Sequence, residues 1–416
     1  MRVTSVLRER HLARAVLVLA ALIGVGVVLL ALGPAGPAWL TPSAPVAVAA
    51  PATSGPIGGY VEGVSSVAFA RESTGRVHVL WTGRLNPDFD WDFVYYSTSA
   101  DGVTWTSYQI LNYYLGYDPR VVVDDTRHVA HLVYRSNYDG IVHHTSANGV
   151  VSAPKIVASG GWPSIGVDPT SGRAYLTWMD SYWVQLTAGS WGGRHRSWYA
   201  TWDGASWSTP ERKVNDGDTN NTLLAVAPGA KVMMAWFQGW STTAGTGYEA
   251  GGPANIRSAY STDGASFALR QKVNTDTTAA PKDDAFLLAA SVDGKFYMLT
   301  DYLAGPGWGL TRRYVWSGGA WSAPTLVSDN PYPSWATPSY VCSAGGTTYY
   351  VYQYDNALWM RTESSTGTLG PKTRLSDSVT AAGLSGASAM SVDAAGKWSF
   401  VGTVTGQPGI HYARQP

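Results

Sequence analysis

Three consecutive side chains, Arg194, His195 and Arg196, put two permanent cations and a titratable imidazole into one short stretch. Guanidinium forks match carboxylates bidentately, so such a cluster suits an acidic ligand. With Arg84, Arg135 and Arg257, which stand close to the ends of other apolar runs, it could form a basic floor for an acidic sugar. The imidazole has a second use: His195 or His131, with a tyrosine and an arginine, could remove the proton beside a uronate carboxylate, which is lyase chemistry. His128, His131, His143 and His144 look like a metal group at first sight. Alternation along a strand sends His143 and His144 to opposite faces, and the spacing is not that of zinc ligands, so no metal and no cofactor are expected.

The elements that must position these groups are strands. From Ser65 onward the chain repeats one unit seven times: an apolar run, a Gly-containing turn, a second run ending in an aromatic, then a third run. First runs begin near Ser65, Pro119, Pro163, Thr222, Ala285, Pro338 and Ala387. A fourth run, often after Ser-x-Pro, is read at 154–157, 210–214, 269–273, 324–327 and 371–375. Short Val, Tyr, Thr and Trp-rich stretches between Gly, Asp, Asn and Pro are strands, and four antiparallel strands at a fixed period are propeller blades. The fold class is therefore all-β, a seven-bladed β-propeller, with six blades if one weak unit is an insertion. The last unit runs out of chain after three strands, and Gly59–Val64 is the N-terminal segment expected to supply the fourth and close the ring, which removes two exposed edges.

In the best copies a unit closes with Asp-Gly and a ring three residues on: Ser99, Asp101, Gly102, Trp105; Thr201, Asp203, Gly204, Trp207; Ser261, Asp263, Gly264, Phe267. The carboxylate can accept from backbone N–H groups of its own turn, the glycine accepts positive φ, and the ring folds back on the sheet. These residues read as structural. Degenerate copies at Ser146, Asn148, Gly149 and at Ser317, Gly318, Gly319, Trp321 keep the turn without the carboxylate.

Bulk composition narrows the partners. With 29 basic and 29 acidic residues among 416, and 14% charged residues in all, no global field would recruit nucleic acid. Trp 19 and Tyr 24 against Phe 8 favours rings with a polar handle, which work at half-wet surfaces. The single cysteine, Cys342, allows no internal disulfide. Arg2, Arg8, Arg10 and Arg14 precede an uncharged apolar run from Ala15 to Leu32, which reads as a signal peptide or signal anchor over 1–32. A Pro/Ala-rich linker spans 33–56 and the propeller 57–416, placed outside the cytoplasm. Ala47, Val48 and Ala49 would suit a signal peptidase but stand far from the apolar run, so cleavage and an uncleaved anchor both remain open.

The Asp-Gly-x-x-ring corners resemble the Asp-box (BNR) repeats of the sialidase-like propellers, over about the last 350 residues on a repeat-level reading. The resemblance implies that the corners lie on the face opposite the functional one. Function would then sit on loops joining second to third strands (82–92, 179–197, 238–255 and 301–310) and on the inter-blade connections 111–118, 274–284 and 328–337. Trp91, Trp183, Trp240 and Trp308 stand in those loops, beside Tyr113, Tyr114, Trp191, Tyr248 and Trp335, and suit the apolar faces of sugars. The resemblance further implies an arginine triad on a substrate carboxylate, a Tyr nucleophile activated by a Glu, and an Asp acid/base. Arg84 followed by Asp88 or Asp90 is similar to the family's second arginine and its aspartate, and Tyr248, Glu249 and then Arg257 are similar to its glutamate and a later arginine. The chain departs from the pattern where the first triad arginine should stand, since that strand reads Ser65, Ser66, Val67, Ala68; Arg120 or Arg135 could supply the charge. Seven blades also depart from the six of sialidases.

The expected function is glycan recognition by an extracellular propeller acting as a monomer, with glycoside hydrolysis as its catalytic form. A non-catalytic carbohydrate-binding or protein-docking scaffold and a polysaccharide lyase are the alternatives. Contact with a membrane is expected only through the N-terminal segment.

Overall fold

The computed structural model describes residues 46–48 and 62–414, apart from 85–90, 113–114, 188–189, 215–218, 239–254, 275–282, 306–307, 330–335, 355–356, 377–389, 394 and 405–406. The described residues form strands, turns and no helix, and the strands make seven antiparallel sheets in sequence order. The inner strands of successive sheets are Glu62–Arg71, Gly116–Asp124, Gly161–Val167, Thr219–Ala227, Asp283–Ala290, Ala336–Ala344 and Met390–Val392. Each touches the inner strand of the next sheet, and Met390–Val392 touches Glu62–Arg71 again. Side chains from all seven inner strands, among them Phe69, Arg120, Ile165, Leu224, Leu287, Tyr340 and Met390, line one channel of about 340 Å³.

Packing explains why the middle strands lack the polar alternation of a half-exposed sheet. Phe93–Ser99 is buried along its whole length and Lys231–Gln238 at all but its ends, because neighbouring sheets cover both faces. One apolar cluster fills each gap. Val67, Val79 and Trp81 of sheet one meet Val401, Ile410 and Tyr412 of sheet seven, and Leu80 and Tyr96 meet Leu132 and Tyr134 of sheet two. The later gaps are filled in the same way.

The corners behave as their sequences require. Asp101 Oδ1 accepts from the Val103 and Thr104 N–H groups at 2.8 and 2.7 Å and from Ser99 Oγ at 2.9 Å. Asp203 and Asp263 accept the equivalent backbone pairs at 2.8 Å, and these bonds hold the Asp263 carboxyl down to about 2. Trp105 packs on Tyr412 at 5.6 Å between centroids, Trp207 on Trp202 at 5.5 Å and Phe267 on Tyr199 at 5.2 Å.

Five segments differ from the sequence expectation. The strand that completes sheet seven is Val46–Val48 rather than Gly59–Val64; Glu62–Arg71 is used instead as the inner strand of sheet one. The stretches expected as loops at 179–197 and 301–310 largely continue their strands as long hairpins, Ala174–Thr187 with Ser190–Trp202 and Phe296–Gly305 with Trp308–Trp316. Sheet one has a fourth strand, Gln109–Asn112, whose last two residues fall in the stretch read as an inter-blade connection from Leu111. In sheet three the expected fourth strand is reduced to a bridge between Glu211 and Tyr199.

Candidate functional site

Antiparallel order sorts the connections by itself. Turns between second and third strands share one end of the sheets with the sheet-to-sheet connections, here called the mouth, and the Asp-Gly corners share the other. Residues that begin inner strands or end second strands therefore meet at the mouth. Of the large apolar side chains that are exposed among the described residues, the aromatic ones are Trp91, Tyr138 and Trp162, and all three stand at this end. The exposed aliphatic ones, such as Val150, Ile156 and Leu326, lie elsewhere, mostly on outer strands.

The most developed cluster lies between sheets two and three. Arg135, one residue before the end of Val129–Ser136, stands opposite Tyr117 in the ladder, and its guanidinium carbon is 5.4 Å from the Tyr117 ring centre. The Trp162 ring centre is also 5.4 Å from that carbon. Gly161 makes this approach possible, since a Cβ there would lie 3.0 Å from Arg135 Cδ. Both rings present their faces to the cation. The in-plane N–H donors of Arg135 have no hydrogen-bond or ion-pair partner among the described residues, which leaves a pre-positioned fork for an anion. Trp162 is 41% exposed and meets the His195 ring edge-on at 6.2 Å.

Backbone irregularity accompanies this geometry. The ladder shifts register between Tyr117 and Arg120, between Gly161 and Ser164, and between Asn220 and Leu223. At the same position of each bulge a non-glycine residue is left-handed: Asp118 at φ 51°, Trp162 at 52° and Asn221 at 50°. Bulges re-aim side chains, and strained bulky residues of this kind concentrate where side chains are used.

The other arginines take different positions. Arg196 is engaged by Asp180 through Nε–Oδ1 at 2.9 Å and Nη2–Oδ2 at 2.6 Å, which raises its pKa, and it lies 4.5 Å over the Tyr182 ring. It fastens the long hairpin of sheet three rather than standing free for a ligand. Arg194 is half-buried opposite Tyr182 in the same ladder. Arg84 is 3.6 Å from Asp92, whose other oxygen accepts from Ser65 Oγ at 2.6 Å. Arg120 lies in the channel wall, where burial lowers its pKa, and donates to the Pro119 carbonyl at 2.9 Å. Arg257 stands on the third strand of sheet four, and its buried Nε has no hydrogen-bond partner among the described residues. Asp88, Asp90, Trp240, Tyr248 and Glu249 lie outside the described residues, as do the side chains of Trp183 and Trp308.

His131 is not available as a base. It is 1% exposed, and its Nδ1 is 3.0 Å from Nε2 of the equally buried His143, with Trp207 Nε1 donating to His143 Nδ1 at 3.1 Å. His144 is held in turn by Tyr134 Oη at 3.2 Å and by the Ser152 carbonyl at 2.9 Å. These rings fill the interior of sheet two, and His128, 52% exposed in its side chain, is on the opposite end from the mouth, 3.9 Å from Glu72.

Sequence reasoning found Arg135 and His195 but missed Tyr117, Trp162 and Asp92, which contact them or their counterparts. Gly116-Tyr117-Asp118-Pro119 and Gly161-Trp162-Pro163, each opening an inner strand, are the repeated signal that could have found the first two.

No family model and no curated protein matches this sequence. Among solved structures, the chain is similar in fold to polysaccharide lyase Uly1, with TM-score 0.52, 10% identity, 85% of this chain covered and 90% of that one. It is also similar to a protein of unknown function from Dyadobacter fermentans DSM 18053, with TM-score 0.51, 9% identity and coverage of 89% and 97%. An α-L-arabinanase of Penicillium chrysogenum complexed with arabinobiose matches at TM-score 0.47 and 13% identity, over 90% of this chain and 98% of that one. At these identities the first two likenesses concern the fold, successive antiparallel sheets arranged as propeller blades, and nothing finer.

Proposed function

We propose that this chain is an extracytoplasmic, seven-bladed β-propeller closed by the Val46–Val48 strand, and that its mouth binds an acidic glycan. The observation that carries this reading is Arg135, held over the rings of both Tyr117 and Trp162 with its N–H donors without a partner among the described residues. A carboxylate on a sugar would take the fork, while the exposed indole would cover the sugar's apolar face. The resemblance to sialidase-like propellers and the likeness in fold to a polysaccharide lyase support a glycan over other acidic ligands. Titration with oligouronates and with neutral oligosaccharides of equal length tests it. Preference for the charged series, weakened at least tenfold in Arg135→Met and in Trp162→Ala, is the expected result; equal binding of both series, or none, overturns it.

A catalytic version is favoured by one contact. His195 touches the same indole as Arg135, so a base for the proton beside the uronate carboxylate and a cation to neutralise that carboxylate share one wall, and the departing glycosidic oxygen would take its proton from water. Such a lyase would release an unsaturated uronate and lose activity in His195→Ala. Release of reducing sugar without unsaturation, abolished in Glu249→Gln and Asp88→Asn, would identify a glycosidase instead. Binding with neither product would identify a non-catalytic module.

A further inference from the structure

Val46–Val48 runs antiparallel to Gln407–Arg414, with Val46 opposite Tyr412, Ala47 opposite His411 and Val48 opposite Ile410. It is the outer strand of sheet seven, whose order continues through Trp398–Val404 to Met390–Val392. Ala47, Val48 and Ala49 are also the small-x-small sequence that a signal peptidase would read. The two uses exclude each other. Cleavage after Ala49 would remove the whole strand, leave sheet seven with three strands, and expose the N–H and C=O groups of Gln407–Arg414 as a bare edge. The position argues the same way: residues 33–46 separate the site from the end of the apolar run at Leu32, whereas a signal sequence carries its cleavage site directly after that run.

We infer that the chain is not processed at Ala49, that its N-terminal segment is retained as a membrane tether, and that Val46–Val48 fastens the tether to the propeller. The inference rests on the extracytoplasmic placement proposed above but not on any ligand, so fractionation and crosslinking test it without a binding assay. The full chain, carrying Ala47→Cys and His411→Cys, is exported in a bacterial host, and membrane and soluble fractions are analysed by intact mass and by non-reducing gel. Full-length chain in the membrane fraction, with a mobility shift that reductant reverses and that neither single variant shows, is the expected result. A soluble chain beginning at Ala50 overturns the inference. Full-length chain without the crosslink also overturns it, because the strand would then not be the fastening. Ala49→Arg, which blocks a peptidase at that site, should leave size and fraction unchanged; a shift to larger mass and to the membrane overturns the inference as well.

Discussion

His143 and His131 lie with nearly parallel rings whose centres are 5.2 Å apart, and the bond between them has a direction fixed by a third residue. Trp207 donates to His143 Nδ1, so the neutral His143 ring carries its proton on Nε2 and donates it to His131 Nδ1. Neither ring can take a second proton without breaking this chain. Burial pushes His131 down to about 4 and His143 well below its ordinary value.

That relation predicts acid sensitivity. Both folded-state pKa values lie below the unfolded value of about 6.5, so the unfolded chain binds more protons once the pH falls under that value. Stability is complete above about 6.5 and declines as pH falls toward 4, with each such histidine contributing a slope of up to about 1.4 kcal/mol per pH unit. Urea unfolding from pH 7.5 to 4.5 checks this. His143→Gln should be less stable at pH 7.5 and have a shallower acid slope; a wild-type slope would exclude the pair as its source.

At Gly102 and Gly264 two requirements coincide. Both are left-handed, at φ +73° and +67°, and a Cβ would lie 2.7 Å from Tyr412 and 2.5 Å from Tyr175, each on the neighbouring sheet. Gly102→Ala and Gly264→Ala should each cost about 2–4 kcal/mol, combining left-handed strain with overlap against a packed ring. Gly318→Ala, at φ +86° with nothing within 4 Å of its Cβ, should cost only the strain, about 1–2 kcal/mol. Equal losses at all three positions would remove the packing role of the corners.

These corners were legible in the sequence because everything they need is local: a carboxylate, a glycine and a ring within a few residues. Strand positions were legible for the same reason, since Val, Tyr and Trp runs between turn residues fix each hairpin on its own. Closure and the mouth were less so. Val46-Ala47-Val48 is too short to stand out from the Pro/Ala-rich stretch around it, and only its pairing with Gln407–Arg414 makes it a strand. Trp162 gains its meaning from Arg135 in the adjacent sheet, a contact that no local spacing encodes. The hairpin at 174–202 was misread because Gly192, Gly193 and the basic run look like a loop, whereas Asp180 and Arg196 pair across it and extend the ladder.

Between sheets five and six, Arg313 Nε and Tyr350 Oη both approach Glu363 Oε2 at 2.6 Å, with both charged side chains under a tenth exposed. Removing one partner leaves the other charge buried, so Glu363→Gln should destabilise the fold by about 3–5 kcal/mol. Arg313→Met with Glu363→Leu should cost less than Arg313→Met alone or Glu363→Leu alone, because no lone charge remains. Chemical denaturation of Glu363→Gln, the two components and the double variant decides; additive losses in the double variant would show that the pair is not coupled.

Trp162 allows stability and binding to be separated at one position. An indole at φ 52° pays about 1–2 kcal/mol in backbone strain relative to glycine, while its contacts with Arg135 and His195 return about 0.5–1 kcal/mol at an exposed site. Trp162→Gly should therefore leave the melting temperature unchanged or slightly raised, whereas Trp162→Ala keeps the strain, loses the ring and should lower it. Both substitutions remove the surface proposed to cover a sugar and release one side of Arg135, so both should weaken oligouronate binding by tenfold or more. The comparison is diagnostic because a ring kept for packing alone would make Trp162→Gly the less stable protein with its ligand affinity intact. Thermal unfolding and titration of the same two preparations give the answer.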